Sequence, residues 1–322
     1  MRRSSISMTV VALLLSAGAA VSCGDDPSAS MGDPPAEPVA VSVTRDIPYM
    51  TDAQRWGFGG NILPADSFTV MHRFLPEGDG PWPVVVLLHG GYQRAGNMDS
   101  LAQEIARRGI LVYTPTYLHE LDADAGQIAS GLWAAGTTIG DVSCAVRAAR
   151  ADAGQHGGAP ERVIVVGYSM GAGFGATVAL AGDDPDSTAN TSGTCVTSAG
   201  SAVPVAFVGW EGPYDWEQLM VREFPDTLIL APEAIHVMST LTHALRRPDD
   251  GAPAFHLRSG DQAWHGVPHA DYMDQLATVL AESGWSVTTG VLPGHHHTDF
   301  FSEPLIPEMI DLIVDVAYGA TE

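Results

Sequence analysis

The stretch Val163 to Ala176, VIVVGYSMGAGFGA, sets one serine among four glycines. A serine hydroxyl is a poor nucleophile at its free pKa and becomes a useful one only beside a base that takes its proton, with a third group orienting that base. Gly167-Tyr168-Ser169-Met170-Gly171 fits the pattern G-x-S-x-G, but in a chain holding 35 glycines the pattern alone carries little weight. Its surroundings carry more. A β-branched run precedes the serine and an alanine-rich, helix-like stretch follows it, so strand, sharp turn and helix come in the order that a nucleophile elbow requires. Such a turn holds the serine in a strained conformation, and glycine on both sides spares neighbouring backbone from side-chain collisions.

A base and an acid are then expected in the chain order Ser, acid, His, each after a later strand. Asp261 follows PAFHLRSG, and His295, His296 and His297 follow WSVTTGVLPG. Asp261 is read as the acid because it is the only carboxylate in its loop, with Asp215 of GPYDW, after the preceding strand, as the alternative. His297 is read as the base, with His296 as the alternative. Negative charge developing on a substrate oxygen needs rigid N–H donors. Met170, just after the serine, supplies one; Gly91 in LLHGGY supplies the other, with Tyr92 next. His89 in that loop reads as a hydrogen-bonded structural residue. Three adjacent histidines can bind metal, but consecutive side chains point in different directions and no cysteine or carboxylate–histidine helix pair accompanies them. The reading is therefore of a site without metal.

The elements that must hold these residues alternate in type. PWPVVVLLHG, ILVYTPTY, ERVIVVGYS, VPVAFVGWEG, PAFHLRSG and WSVTTGVLPG read as strands, the most apolar of them covered on both faces. DSLAQEIARRG, IGDVSCAVRAARADAG, GAGFGATVALAG, ADYMDQLATVLAESG and PEMIDLIVDVAYG read as helices between and after them. This alternation specifies an α/β fold, a mostly parallel sheet with helices on both faces, whose chemistry sits at the carboxyl ends of the strands. Residues 211–251 break the rhythm and read as a partly helical cap over that edge.

PWPVVVLLHGG, DVSCAVRAARADAGQHGGAPERVIVVGYSMGAGFGA and LPGHHHTDFF together resemble the α/β-hydrolase superfamily, and more narrowly its esterase/lipase and feruloyl-esterase-like branch, over roughly residues 65–318. The resemblance implies Ser169 as nucleophile and His297 as base, since Gly294-His295-His296-His297 fits G-x-x-H. It implies no cofactor and points to cleavage of carboxylic esters through an acyl-enzyme. Two departures stand out: Asp261 directly follows Gly260, with extra residues before Val267-Pro268, and the HGG loop lacks a third glycine. The rival readings are a serine peptidase or amidase of the same fold and a non-catalytic, lipid-anchored binding protein.

The formal net charge is −23, and all fifteen basic residues are arginine. Such a field repels phosphate backbones, which argues against a nucleic-acid partner and leaves a small-molecule or polymer ester as the expected one. At the N-terminus MRR precedes an apolar stretch too short to span a bilayer, MTVVALLLSAGAAV, which reads as an export signal over residues 1–22. Ala20-Val21-Ser22-Cys23 resembles the lipobox of bacterial lipoproteins, making Cys23 the expected lipidation site and membrane anchor and the cell envelope the expected location. Residues 23–45, rich in Pro, Asp and Ser, read as a flexible tether, and residues 46–322 as the catalytic domain. Cys144 and Cys195 leave two readings open, a disulfide or two buried thiols.

Overall fold

The computed structural model describes residues 32–56, 62–64, 69–91, 93–117, 125–184, 191–216, 218–219, 239–263, 269–301 and 305–319. The stretch read as an export signal, Cys23, Tyr92 and the middle of the segment read as a cap lie outside them. In chain order the strands are β1 (Val41–Pro48), β2 (Met50–Thr51), β3 (Gln54–Trp56), β4 (Ile62–Pro64), β5 (Val70–Pro76), β6 (Trp82–Leu88), β7 (Leu111–Pro115), β8 (Gly158–Tyr168), β9 (Thr194–Cys195), β10 (Ala206–Trp210), β11 (Ala254–Gly260) and β12 (Val287–Leu292). The α-helices are α1 (Asp99–Arg107), α2 (Ala125–Ala153), α3 (Met170–Ala181), α4 (Thr240–Ala244), α5 (His269–Ser283) and α6 (Pro307–Tyr318).

Eight strands form one sheet in the order β1-β5-β7-β6-β8-β10-β11-β12. Pairing is antiparallel from β1 through β5 to β7 and parallel from there on. The strand period of two divides the apolar side chains between the two faces. Val84, Val86 and Leu88 of β6, with Val163 and Val165 of β8, join one core with Val142, Val146, Phe174 and Leu276 from α2, α3 and α5. Val85, Leu87, Ile164 and Val166 join the other with Leu101 and Ile105 of α1 and Ile313 of α6. Both faces are thus covered, which is why β6 and β8 read as unbroken apolar runs. Among the described residues no helix is long and apolar enough to cross a membrane.

The sheet takes in residues before the tether boundary read at residue 45. Val41 to Thr44 pair with Pro76 to Arg73 of β5, and the Val39 N–H bonds the Arg107 carbonyl at 2.9 Å. β1 is an edge strand with mostly exposed side chains, so it lacks the apolar pattern that marks its neighbours.

Cys144 of α2 and Cys195 of β9 are joined in a disulfide that closes a sequence separation of 51 residues. A loop of that length constrains the unfolded chain enough to stabilise the fold by about 4 kcal/mol. The same segment is held by Asp141 of α2, which is buried and whose Oδ1 accepts the Ser192 N–H at 2.8 Å. Burial pushes the Asp141 carboxyl up from 3.8 to about 6, only partly countered by its bonds to Ser192. The native state therefore holds a proton that the unfolded state has lost between pH 3.8 and about 6, and stability falls as pH rises through that window. Asp141→Asn, which keeps the acceptor for Ser192, is expected to raise stability at pH 7 by about 1–3 kcal/mol and by little at pH 4. Urea denaturation at both pH values checks this; equal stability changes at the two would reject it.

Candidate functional site

β6 and β8 run side by side and end together, Leu88 opposite Gly167. The chain leaving β6 as His89-Gly90-Gly91 therefore lies against the chain leaving β8 at Ser169. Ser169 turns there with φ 51° and ψ −125°, a conformation that a side chain beyond glycine rarely adopts, and α3 begins at the next residue. Its N–H is held by the Trp210 carbonyl at 2.8 Å, and its carbonyl accepts from Ala172 at 2.9 Å. A Cβ at Gly167 would strike the backbone of Gly171, and one at Gly171 would strike the carbonyls of His89 and Leu88. The two glycines of the motif are steric necessities of the turn.

The Ser169 side chain is nearly buried and meets a second side chain. Nε2 of His297, at the end of the loop after β12, lies 3.0 Å from Ser169 Oγ. Its other nitrogen, Nδ1, lies 3.2 Å from Oε2 of Glu211. With Nδ1 donating to the carboxylate, Nε2 is left as an acceptor for the serine hydroxyl proton, the arrangement a general base needs. Tyr168 adds a support: its hydroxyl donates to the His297 carbonyl, and its ring sits 5.1 Å from the imidazole centroid.

Glu211 is the residue directly after β10 and has φ 56°. Its N–H bonds the Arg258 carbonyl of β11 at 3.0 Å, and its Oε1 accepts from Ser259 Oγ at 2.9 Å and from the Gly260 N–H. Burial alone would raise this carboxyl's pKa. Hydrogen bonds from His297, Gly260 and Ser259, with His269 close by, hold it below the usual carboxylate value instead. It is thus a buried, ionised group with a donor at each oxygen.

The acid read from the sequence is corrected by this geometry. Asp261 does not meet His297; its carboxylate is exposed and accepts from Gln262 Nε2 at 2.7 Å and from the Gly294 N–H at 2.8 Å. Because it follows Gly260 at once, its side chain leaves the sheet edge toward solvent, while the Gly260 N–H turns inward to Glu211. Asp261 pins the turn that leads to His297. The alternative, Asp215, is turned to structural use as well, accepting from the Gln218 N–H at 2.9 Å and Gln275 Nε2 at 3.3 Å. Of the three histidines only His297 faces the serine: His296 Nδ1 contacts Thr298 Oγ1 at 3.2 Å, and the His295 carbonyl accepts from Gln262 N–H at 3.2 Å.

At the β6 end, Nδ1 of His89 donates to the Gly90 carbonyl at 2.8 Å and its ring stacks on Tyr117 at 4.1 Å. The Gly90 N–H is held by Gln93 Oε1 at 2.9 Å. In a planar trans peptide the N–H of Gly91 points opposite to the Gly90 carbonyl, away from His89. A Cβ at Gly90 would press on the Tyr168 ring and on the Ser169 Cβ, so Gly90 lines the serine. Met170 opens α3, where the first N–H groups of a helix face outward along its axis. Tyr92 lies outside the described residues. Among the described residues, Glu211, His269 and His297 bring metal-type donor atoms within 4.8 Å of one another, although Glu211 and His297 already engage each other.

This sheet order, with a strained serine between strand and helix at the carboxyl edge, defines the α/β-hydrolase fold. Within it, the dienelactone hydrolase family model matches residues 71–203, a stretch from β5 through Ser169 that stops before Glu211 and His297. Among solved structures, a truncated carbohydrate esterase from gut microbiota is 18% identical with a TM-score of 0.61, covering 89% of this chain and 99% of that one. Esterase B from Lactobacillus rhamnosis is 15% identical with a TM-score of 0.64, covering 88% of each chain. A thermophilic carboxylesterase cloned from a metagenomic library is 16% identical with a TM-score of 0.58, covering 89% of this chain and 91% of that one. No curated protein matches the sequence.

Proposed function

We propose that this protein is an exported serine hydrolase that cleaves carboxylic esters through an acyl-enzyme, with Ser169 as nucleophile, His297 as base and Glu211 as the acid that orients it. The observation that carries the reading is the continuous chain from Ser169 Oγ through the two nitrogens of His297, at 3.0 and 3.2 Å, to a buried carboxylate. His297 Nε2 takes the hydroxyl proton as Oγ attacks the ester carbonyl. The resulting oxyanion rests on the N–H groups of Met170 and Gly91, each such donor contributing about 3 kcal/mol. His297 returns the proton to the departing alcohol, and water then cleaves the acyl-enzyme by the same steps in reverse roles. Glu211 stays ionised throughout and stabilises the imidazolium.

Substrate class follows less directly. Solved structures similar to this chain include esterases, one of them a carbohydrate esterase, which makes esters of sugars a first choice for trial. Export is supported by the apolar N-terminal stretch, by Cys23 in its lipobox-like context and by the Cys144–Cys195 disulfide, a bond at home in an oxidising compartment. Cys23 is assigned as the lipid-bearing anchor at the cell envelope; mass spectrometry of the mature N-terminus finds a diacylglyceryl cysteine if that is right and an unmodified one if it is wrong.

The enzymatic reading is tested by a fluorophosphonate probe and a panel of aryl esters of rising acyl length with feruloyl and acetylated-sugar esters beside them. Labelling at Ser169 together with ester turnover is expected. A folded protein that takes no label would point to a binding module, and faster cleavage of matched amides than esters would point to a peptidase.

A further inference from the structure

The proposed triad leaves one neighbouring group unused. His269, the first residue of α5, is buried, and its Nδ1 lies 3.9 Å from Oε2 of Glu211. Its ring packs on that of His297 with centroids 4.5 Å apart and planes 38° from parallel. Tyr272 of the same helix meets it edge-on at 5.9 Å. The titratable groups that bear on this imidazole are thus Glu211 from the β10 end, His297 and His296 from the loop after β12, and Tyr272 from α5.

We propose that His269 is a positioning residue for the Glu211–His297 pair, a buried ring that seals one side of the pair from water and keeps Oε2 of Glu211 turned toward Nδ1 of His297. The inference rests on the esterase reading given above. Burial first, then the neighbouring His297, pull the His269 pKa down to about 4 against the attraction of Glu211. Neutrality matters at this position for two reasons. A cation there would compete with His297 for the carboxylate, and it would repel the imidazolium that forms as Ser169 is deprotonated. A smaller side chain would admit water, which weakens the carboxylate–imidazole bond by raising the local dielectric. An imidazole held neutral avoids both.

The test compares wild type, His269→Ala and His269→Phe in kcat and KM on an aryl ester, with melting and circular dichroism to verify folding. His269→Ala is expected to lose about 10- to 100-fold in kcat with KM unchanged, the scale of effect that loosened alignment produces. His269→Phe, which again fills the space with a ring, should recover part of the kcat lost in His269→Ala, again with KM unchanged. A folded His269→Ala with wild-type kcat overturns the proposal, as does a rise in KM alone, which would mark a substrate contact. Should the Ala variant fail to fold, His269→Phe decides by kcat alone, an undiminished value overturning the proposal. Fluorophosphonate labelling of the wild type separates the two layers. Normal labelling with inert His269 variants removes only the positioning role, whereas absent labelling removes the esterase reading and this role with it.

Discussion

Ser169→Ala is expected to lower ester turnover by about 10⁶-fold, to the small residue of catalysis that oxyanion donors and substrate binding supply by themselves. The size of the loss follows from the role: without Oγ no acyl-enzyme forms, and His297 and Glu211 have no proton to move. The fold is expected to survive the change, because the Ser169 backbone carries the structural bonds, its N–H to Trp210 and its carbonyl to Ala172. The substitution leaves the positive φ in place, so any stability change should be small and is read by thermal melting beside kcat. Loss of activity with wild-type melting and loss of fluorophosphonate labelling is the expected triple result. An alanine variant that still turns over aryl esters within tenfold of wild type would place the nucleophile elsewhere.

The sheet and the serine turn could be read from the chain because both are governed by local necessity. β6 and β8 are covered on both faces, so every residue from Val84 to Leu88 and from Val163 to Val166 is buried, and the run of apolar β-branched residues reports that directly. The elbow at Ser169 permits so few side chains beside it that Gly167 and Gly171 mark it. β1 and β5 were not legible for the opposite reason. β1 is an exposed edge, and β5 carries His72 and Arg73 among its apolar residues, His72 bonding Asp99 at 2.9 Å and Arg73 bonding Asp152 at 2.7 Å. Their polarity is satisfied by tertiary partners that no short window contains. The first half of α2 was missed too, since its glycines argue against a helix that begins at Ala125.

The acid was illegible on more instructive grounds. β10 and β11 are parallel neighbours, Trp210 opposite Arg258, so their carboxyl ends open at the same edge beside the histidine loop. A carboxylate after either strand satisfies the order Ser, acid, His, and the chain order cannot choose between Glu211 and Asp261. What chooses is the direction each side chain takes from the sheet. Glu211 leaves β10 in a positive-φ turn with glycine behind it and a side chain one methylene longer than aspartate, and it turns inward to the donors of Ser259, Gly260 and His297. The dipeptide Glu211-Gly212 at a strand end was the available signal, and Asp261 outweighed it as the only carboxylate in the loop after the next strand, even though its spacing departs from the family pattern.

Glu211→Gln separates the two candidates by their kinetics and is expected to lower kcat by about 10⁴-fold, whereas Asp261→Asn stays within about threefold of wild type. The amide of glutamine can donate as well as accept. If its NH₂ faces His297, the imidazole must carry its proton on Nε2, and the nitrogen 3.0 Å from Ser169 can no longer accept. Even with its oxygen turned inward, the neutral amide fails to stabilise the imidazolium. Asp261, in contrast, serves through acceptance from the Gly294 N–H, a task that asparagine can also perform. Glu211→Asp gives an intermediate case: charge is kept but the carboxylate is withdrawn by one methylene, and a loss of about 10²-fold is expected from misplacement alone. Because the Glu211 pKa is lowered in the fold, its contribution to stability is present above the ordinary carboxylate pKa and fades as pH falls through the folded value. The variants should therefore be compared near neutrality, where the wild type has the full benefit and the amide has none. Equal losses at Glu211 and Asp261 would mean that the histidine loop rearranges when substrate binds; a loss confined to Asp261 would return the acid to the end of β11.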